Sequence, residues 1–339
     1  MNLDAVNQMR AHLARLEACF QDGRYRSGDK ERILTAAAYH SLYANLEFRS
    51  NQDSQAPSSG STKVHSTVRL VPTKISHEIL ADWVYTPNCS GDKRILYIHG
   101  GGWCAGDTSV YRHLASQITR STSCPVLIPR YRSAPAHRYP AALADCLAAY
   151  TYALVSDPSG RSQPAKVVVI GDSVGANLAI ALNFILKQRN LHIPQALIAL
   201  SPVCDCASGD LDSGKHLVAT SWIAQCIENY LSTGADARTP TVSPIRGDLN
   251  CLAPFLVQVG EQDPVLDQCT YLVDKARQAG VDANIQLMPG MPHAFQRFSP
   301  LVPHARRAVE HLSSFTLSRD HGRYLTNNII YPKFQQTSS

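Results

Sequence analysis

Short apolar runs alternate with longer helical segments along the chain after residue 64. Strands are predicted where about four to eight apolar or alternating residues stand between turn residues, and helices where apolar residues recur about every 3.6 positions. The predicted strands are VHSTVRLV, HEILADWVY, RILYIHG, CPVLIP, AKVVVIGD, PQALIAL, PFLVQVG and NIQLMPG. Helices are predicted between the later strands and after the last, near 107–121, 140–156, 173–188, 267–280 and 302–317. Because such strands are joined by crossover helices, the pattern predicts an α/β fold with a mostly parallel sheet and helices on both faces.

Two regions depart from this alternation. Residues 1–50 read as helical, and the polar stretch SNQDSQAPSSGSTK at 50–63 follows them as a predicted flexible linker. About fifty residues also lie between Ser201 and Leu252, among them the helical HLVATSWIAQCIENYLS. An insertion of this length in a compact α/β domain predicts a functional element such as a lid.

Composition narrows the class of protein. The 339 residues carry 32 basic and 27 acidic side chains, a formal charge of +5, without a run of five or more like charges or a basic patch interleaved with aromatic residues. Nucleic acid is therefore not expected as a partner. The N-terminus lacks the layout of a signal peptide, and no apolar run approaches the roughly 18 residues that span a bilayer. We therefore expect a soluble, cytoplasmic protein without stable membrane insertion.

The ten cysteines are scattered, most of them inside apolar segments where a free thiol packs as a small hydrophobic group. Only Cys204 and Cys206 are close in sequence, and no second Cys or His pair stands at the spacing of a zinc site. The sequence thus favours buried free thiols over disulfides, and it predicts no metal site.

The stretch VVVIGDSVGAN, residues 167–177, places a serine between a predicted strand and a predicted helix in a G-x-S-x-G arrangement. Both glycines are needed there, because at so sharp a turn a side chain two residues before or after Ser173 would strike the neighbouring strand and helix. Ser173 would stand at a helix N-terminus, whose dipole favours a developing negative charge. Such five-residue patterns are common by chance, but this placement predicts that Ser173 is a nucleophile.

A nucleophilic serine needs a base and an orienting carboxylate. The loop EQDPVLD after one strand supplies Asp263, and the loop MPHAF after the last strand supplies His293. In open α/β sheets, strand ends of this kind hold the active site. Glu261 and Asp267 compete with Asp263 for the acid role, with Asp267 better placed as a surface or capping residue of the following helix.

The run HGGGW at 99–103 follows another apolar strand, and its glycines leave the backbone bare. Attack by Ser173 on a carbonyl would make its oxygen negative, and backbone amides aimed at that oxygen would stabilise it. The predicted donors are Gly101, Gly102 and Val174. His99 lies before the glycines at the end of its strand, so we interpret it as a residue that fixes the loop rather than as a base.

These ordered motifs resemble the hormone-sensitive-lipase-like family of α/β-hydrolases, the HGGG-type esterases and lipases. The resemblance covers about residues 80–315, with HGGGW at 99–103, YRSAPAHRYPAALADC at 131–146, GDSVGAN at 171–177, GEQDPVLD at 260–267 and PHAF at 292–295. It implies an α/β-hydrolase fold, a triad and an oxyanion hole formed by the residues predicted above. It also implies a structural role for Asp145, and Ala176 departs from a glycine that many members have, which should alter packing rather than chemistry.

The family commonly has a helical cap over the active site, which gives the two irregular regions an implied role. The domain organisation expected is an N-terminal cap segment and linker at 1–63, a catalytic domain at 64–320 with a cap insertion at about 203–250, and a C-terminal tail at 321–339. Substrate contacts are then predicted at Trp103, Trp222 and Tyr230. The alternative for these aromatic residues is that they only hold the cap together.

The function predicted from these residues is hydrolysis of a carboxylic ester of a small or medium apolar molecule, through an acyl-enzyme and without metal or cofactor. Two alternatives remain open. The same triad could serve a biosynthetic tailoring reaction, namely lactonisation, acyl transfer, deacetylation or cleavage of an amide or lactone. A non-catalytic small-molecule receptor could use the same scaffold, although His293 argues against it. The sequence does not fix the oligomeric state, and a homodimer stays open.

Overall fold

The computed structural model describes residues 68–89, 92–106, 108–159, 165–207, 221–231, 234–299 and 302–318. The predicted N-terminal segment at 1–63, the tail at 321–339 and residues 208–220 of the predicted cap insertion lie outside the described residues.

An eight-stranded sheet forms the centre of the molecule. Its strands are β1 (Arg69–Lys74), β2 (Leu80–Tyr85), β3 (Lys93–Ile98), β4 (Val126–Arg130), β5 (Lys166–Asp172), β6 (Ala196–Leu200), β7 (Phe255–Gly260) and β8 (Ala283–Met288). They lie in the order β1-β2-β4-β3-β5-β6-β7-β8. The pairs β1–β2 and β2–β4 are antiparallel and every other pair is parallel. The prediction of a mostly parallel α/β sheet is confirmed.

Helices cover both faces of the sheet. They are α1 (Thr108–Thr122), α2 (Ala141–Val155), α3 (Val174–Gln188), α4 (Ser221–Tyr230), α5 (Leu266–Gln278) and α6 (Pro303–Ser318). Helices α1 and α6 pack on the face that carries Ile95, Val168 and Ile170, whereas α2, α3 and α5 pack on the face that carries Leu96 and Val169. These helices bury the apolar residues of β3, β5 and β6 on both faces of the sheet, as the unbroken apolar runs predict.

The first strand differs from its prediction. The sequence suggested VHSTVRLV, residues 64–71, but β1 runs over Arg69–Lys74 and pairs with β2 from Arg69 opposite Tyr85 to Lys74 opposite Leu80. It is the outer strand of the sheet and is only partly buried, so it can hold Pro72, which a central strand would not accommodate. Pairing with β2, rather than the local apolar pattern, sets where β1 lies.

Two cations at the start of β3 fasten one helix layer each. The Lys93 ammonium donates to the Thr316 carbonyl in the last turn of α6, at 3.0 Å, and the Arg94 guanidinium donates to the Ala153 carbonyl in the last turn of α2, at 2.9 Å. Successive strand residues point to opposite faces, so neighbouring cations reach opposite layers. Each positive charge also lies at the negative end of a helix dipole, which stabilises the contact.

Three negative findings apply to the described ranges. No helix there is long and apolar enough to cross a membrane. The nine described cysteines are all free, and seven of them are buried. No group of three or more His, Cys, Asp or Glu side chains there is arranged to hold a metal ion.

Candidate active site

Ser173 occupies a sharp turn between β5 and α3. Its backbone angles are φ 56° and ψ −116°, a conformation that costs a non-glycine residue free energy and persists only where its surroundings enforce it. A Cβ atom at Gly171 would lie 2.4 Å from the Gly175 carbonyl oxygen, and one at Gly175 would lie 2.1 Å from the carbonyl oxygen of Ile98. Both glycines are therefore required by contact, Gly171 with helix α3 and Gly175 with the end of strand β3.

The structure brings together the three residues predicted as a triad. The His293 Nε2 atom lies 2.9 Å from Ser173 Oγ, and His293 Nδ1 lies 3.0 and 3.2 Å from the two carboxylate oxygens of Asp263. The Asp263 side chain is fully buried, whereas about a third of the His293 side chain is exposed. A continuous hydrogen-bonded relay thus runs from a buried carboxylate to the hydroxyl of a serine that is 7% exposed.

The loops after β7 and β8 hold the acid and the base against each other. The Gln262 amide donates to the Met291 carbonyl at 3.0 Å, and a Cβ atom at Gly260 would lie 1.9 Å from that same oxygen. One Asp263 carboxylate oxygen also accepts the Val265 amide, which fixes its orientation. The glycine before the acid is therefore what allows the histidine loop to lie so close.

The two competing acids lie elsewhere. Glu261 is exposed and accepts a hydrogen bond from the Gly290 amide at 2.8 Å, which ties together the same two loops from the outside. Asp267 is exposed in the first turn of α5, where its negative charge interacts favourably with the helix dipole. Neither carboxylate is recorded as bonded to His293.

Electrostatics favour the protonated form of His293. Burial by itself would lower the pKa of this imidazole, but the charge of Asp263, its hydrogen bond and the more distant charge of Asp172 together raise the pKa above its ordinary value of 6.5. An imidazole of this kind accepts a proton readily and holds it as a stabilised imidazolium.

The glycine loop after β3 has an unusual backbone. Three successive residues have positive φ, namely Gly101 at 120°, Gly102 at 64° and Trp103 at 59°. The Gly101 carbonyl accepts the amides of Cys104 and Ala105, and a Cβ atom at Gly101 would collide with the Ala105 carbonyl. Among the described residues, none accepts a hydrogen bond from the amides of Gly101, Gly102 or Val174. These amides are thus available to a ligand.

His99 is built into the base of that loop. Its ring stacks on Tyr131 at 4.2 Å and on Tyr111 at 5.3 Å, and its Nδ1 atom lies 2.8 Å from the Gly100 carbonyl oxygen. The Tyr131 hydroxyl donates to the His99 carbonyl at 2.9 Å. These contacts immobilise the loop entrance and agree with the interpretation of His99 as a loop-fixing residue.

An aromatic stack adjoins the glycine loop. The Trp103 and Tyr230 rings lie nearly parallel with centroids 4.5 Å apart, and Tyr139 meets Tyr230 edge-on at 5.7 Å. Trp103 and Tyr230 are completely buried, so a ligand could reach either ring only if neighbouring groups moved. Trp222 belongs to α4, and its side chain lies outside the described residues. Substrate contact by these three residues stays a prediction.

Three residues that sequence reasoning passed over hold the site together. The Ser201 hydroxyl accepts the Ala294 amide at 3.0 Å, directly beside His293. Arg297 Nε donates to the carboxylate of Asp172 at 2.6 Å, and this aspartate precedes the nucleophile. Asp172 lies inside the serine motif, but neither Ser201 nor Arg297 belongs to a recognisable motif, and only the folded chain shows them.

Asp145, for which the resemblance implied a structural role, is 1% exposed and accepts the Arg132 backbone amide at 2.8 Å. The Arg132 guanidinium adds contacts to both of its oxygens, at 2.7 to 3.2 Å. This ion pair ties the loop after β4 to helix α2.

Comparison with known proteins gives a consistent result. A protein-family model described as an alpha/beta hydrolase fold matches residues 95–297. An acetyl-hydrolase of Streptomyces hygroscopicus is 33% identical over 240 residues, which cover 69% of this chain and 78% of that protein. An esterase of Acinetobacter venetianus is 34% identical over 236 residues, which cover 68% and 77%. An ethyl acetate hydrolase of Pseudomonas putida is 30% identical over 217 residues, which cover 62% and 68%.

Solved structures agree with the sequence relatives. The crystal structure of an esterase from the bacterial hormone-sensitive lipase family is similar with a TM-score of 0.70 at 26% identity, covering 94% of this chain and 99% of that one. An esterase crystal soaked with p-nitrophenyl butyrate matches with a TM-score of 0.67 at 27% identity, covering 81% and 97%. With this fold and these relatives, the chain belongs to the hormone-sensitive-lipase-like family of α/β-hydrolase esterases.

Proposed function

We propose that the protein is a serine hydrolase that cleaves carboxylic esters through an acyl-enzyme. The observation that carries this proposal is the relay from Ser173 Oγ to His293 Nε2 at 2.9 Å and from His293 Nδ1 to the buried Asp263 carboxylate at 3.0 Å. A serine hydroxyl becomes a competent nucleophile when a positioned base removes its proton during attack.

Acylation would begin with attack of Ser173 Oγ on the ester carbonyl carbon. The hydroxyl proton moves to His293 Nε2, and the carboxylate of Asp263 stabilises the imidazolium that forms. When the tetrahedral intermediate collapses, His293 gives this proton to the departing alkoxide, so the alcohol leaves neutral. The acyl group stays on Ser173 as an ester.

Stabilisation of the oxyanion falls to the backbone. The amides of Gly101, Gly102 and Val174 have no acceptor among the described residues, and Val174 directly follows the nucleophile at the start of α3. Each such donor typically contributes about 3 kcal/mol to transition-state stabilisation. The helix dipole of α3 adds a favourable field at the same place.

Deacylation would use the same groups in reverse. A water molecule gives its proton to His293 Nε2 and attacks the acyl carbon, the second tetrahedral intermediate collapses, and His293 returns the proton to Ser173 Oγ. The part of His293 that is exposed faces solvent, from which this water can come. The products are a carboxylic acid and an alcohol.

For the substrate we propose a small ester with a short acyl chain. Two relatives are named for such substrates, the acetyl-hydrolase of Streptomyces hygroscopicus and the ethyl acetate hydrolase of Pseudomonas putida. The rings of Trp103 and Tyr230 adjoin the glycine loop and are completely buried, which leaves no open space next to them for a long chain.

The test is a chain-length series of p-nitrophenyl esters, run beside acetylated metabolites and lactones. We expect acetate and butyrate esters to be turned over fastest, and Ser173→Ala to lose about 10⁶-fold in kcat while its thermal unfolding stays close to that of the wild type. A fluorophosphonate should label the wild type at Ser173 and leave Ser173→Ala unlabelled.

Other outcomes would point to other functions. Labelling without turnover of any simple ester would indicate a dedicated tailoring reaction on the same triad. Failure of the folded protein to be labelled would contradict a nucleophilic Ser173 and leave the receptor as the remaining hypothesis. Near-normal turnover by Ser173→Ala would show that the reaction uses another residue.

A further inference from the structure

Arg297 lies four residues after the predicted base and contacts two further loops of the candidate site. Its Nε atom donates to the Asp172 carboxylate at 2.6 Å, and the two side chains are 10% and 1% exposed. Asp172 is the last residue of β5 and immediately precedes Ser173. The pair therefore joins the histidine loop to the nucleophile turn.

The glycine loop lies against the same guanidinium. A Cβ atom at Gly100 would be 2.9 Å from Arg297 Nη2, 2.9 Å from the Asp172 carbonyl oxygen and 3.3 Å from Ser173 Cβ. A contact this close means that the backbone of Gly100 packs directly on the arginine and on the nucleophile turn. The guanidinium thus supports the start of the loop that carries the predicted oxyanion donors.

A third contact places the guanidinium over an aromatic ring. Its central carbon lies 4.5 Å from the centroid of the Tyr111 ring, and Tyr111 in turn stacks on His99 at the entrance of the glycine loop. A cation over an aromatic face is attracted to it, more strongly where water is excluded. Tyr111 belongs to α1, so the arginine is also fastened to the helix layer beneath the site.

We propose that Arg297 is a positioning residue, which sets the distance between the histidine loop, the nucleophile turn and the glycine loop through its contacts with Asp172, Gly100 and Tyr111. It does not contact the reacting atoms. Arginine suits this role better than lysine because its planar, multiply donating head can bond, stack and pack at once. Burial raises the pKa of Asp172 to about 7, against the charge of His293 and the hydrogen bond from Tyr97, and it lowers the pKa of Arg297.

The inference rests on the proposed esterase function and is tested by the kinetics of Arg297→Met and Arg297→Lys on p-nitrophenyl butyrate. A displacement of about 1 Å can cost on the order of 100-fold in rate, so we expect Arg297→Met to lower kcat by about 10- to 100-fold. KM should change by less than about threefold, because binding of the substrate is not what is lost. Arg297→Lys keeps the charge but not the planar guanidinium, so its kcat should lie between those of the wild type and Arg297→Met.

The matched control is Arg246→Met. Arg246 forms a similarly buried pair with Asp205, at 3.0 Å and with side chains 12% and 2% exposed. Removing one partner of a buried pair destabilises a protein, so both variants should lower the melting temperature. Only Arg297→Met should also lower kcat and the rate of fluorophosphonate labelling, whereas Arg246→Met should keep kcat within about twofold of the wild type.

A double-mutant cycle of Arg297 and Asp172 tests whether the two residues affect kcat through one shared interaction. If Arg297 acts through Asp172, adding Asp172→Asn to Arg297→Met should lower kcat by no more than about twofold beyond the worse single variant. If Arg297→Met does not fold, Arg297→Lys and its labelling rate decide the question in its place.

The outcomes distinguish this inference from the proposed function. An active, labelled wild type whose Arg297 variants lose no more kcat than Arg246→Met would overturn the positioning role alone. A loss confined to KM, or a wild-type rate in Arg297→Lys, would also overturn it. A wild type that neither turns over esters nor reacts with the fluorophosphonate would defeat the proposed function, and the positioning role with it.

Discussion

The strand ends that carry Ser173, Asp263 and His293 differ in construction from the aromatic stack of Trp103, Tyr230 and Tyr139. At the strand ends, backbone approaches backbone so closely that Gly171, Gly175 and Gly260 leave no room for a Cβ atom. In the stack, whole rings fill a dry space between the glycine loop and α4. The first region depends on distances between loops, whereas the second depends on the volume of side chains.

This difference separates chemistry from stability. A change of charge at a strand end that keeps the shape of the side chain alters the reaction and leaves the packing nearly intact. A loss of ring volume in the stack opens a cavity, which lowers the free energy of unfolding. Substitutions in the two regions should therefore differ in whether they lower kcat or the free energy of unfolding.

After Ser173→Ala, the largest effect is expected from Asp263→Asn. The neutral amide cannot stabilise an imidazolium and allows the wrong tautomer of His293, so kcat should fall by about 10⁴-fold. Folding should be little affected, since the shape of the side chain is kept. The control is Asp267→Asn four residues later, an exposed carboxylate in α5 whose loss should leave kcat unchanged.

The pH dependence of the same variant sharpens the assignment. The pKa of His293 is raised above 6.5, so the protonated, inactive form should accumulate as pH falls through that raised value. Wild-type kcat/KM should therefore lose half its maximum on the acid side at a pH above 6.5. Asp263→Asn removes the charge that raises this pKa, and its residual activity should persist to lower pH. An acid limb that moves upward would contradict the assignment of the base.

An intermediate effect is expected from Gly175→Ala, a strand-end substitution that should lower both the stability and the activity of the protein. Its methyl group would lie 2.1 Å from the Ile98 carbonyl oxygen, and the overpacking should cost about 3 kcal/mol in the free energy of unfolding. Because Ile98 and the glycine loop would be displaced, the activity of the folded protein should also fall. Urea unfolding and kcat at saturating substrate measure the two losses.

Gly280→Ala supplies the matched comparison for that variant. Gly280 has φ +84° and nothing within 4 Å of a Cβ atom, so alanine there should cost about 1 kcal/mol through backbone strain alone and leave kcat intact. Equal losses of stability in the two alanine variants would show that the close contact at Gly175 relaxes without consequence.

The smallest effect is expected from Tyr230→Phe. The Tyr230 hydroxyl is buried and has no hydrogen-bond partner among the described residues, so its removal should change the free energy of unfolding by less than about 1 kcal/mol. Trp103→Ala, which deletes the ring stacked on it, should cost about 3 to 5 kcal/mol. A tenfold loss of kcat/KM in Tyr230→Phe would show that the hydroxyl contacts substrate, and that the stack does more than hold α4 in place.

The fold could be predicted largely because its signals are local. The apolar runs of β3, β5, β6 and β7 are continuous, and the predicted bounds differ from the observed ones by a residue or two. The start of β1 could not be predicted, because an outer, half-exposed strand takes its register from its partner rather than from its own pattern.

The candidate site shows the same division. Ser173, Gly171 and Gly175 lie within five residues of sequence, so one short motif indicates both the nucleophile and the glycines that its turn requires. Asp263 and His293 follow strands whose carboxyl ends meet at one edge, which the order of elements already implied. Arg297 and Ser201 contact residues more than ninety positions away, and nothing in their neighbours along the chain indicates those contacts.

The contact between the Lys93 ammonium and the Thr316 carbonyl also bears on where the chain could be truncated. The family model matches residues 95–297, yet Lys93 precedes that span and its partner Thr316 lies beyond it. A fragment trimmed to residues 95–297 would lose β1, β2 and α6, and it would expose the apolar face on which α6 packs. The match to the family model is therefore narrower than the set of contacts that joins the sheet to its helix layers, so a truncated protein should keep Lys93, Thr316 and the elements that contain them.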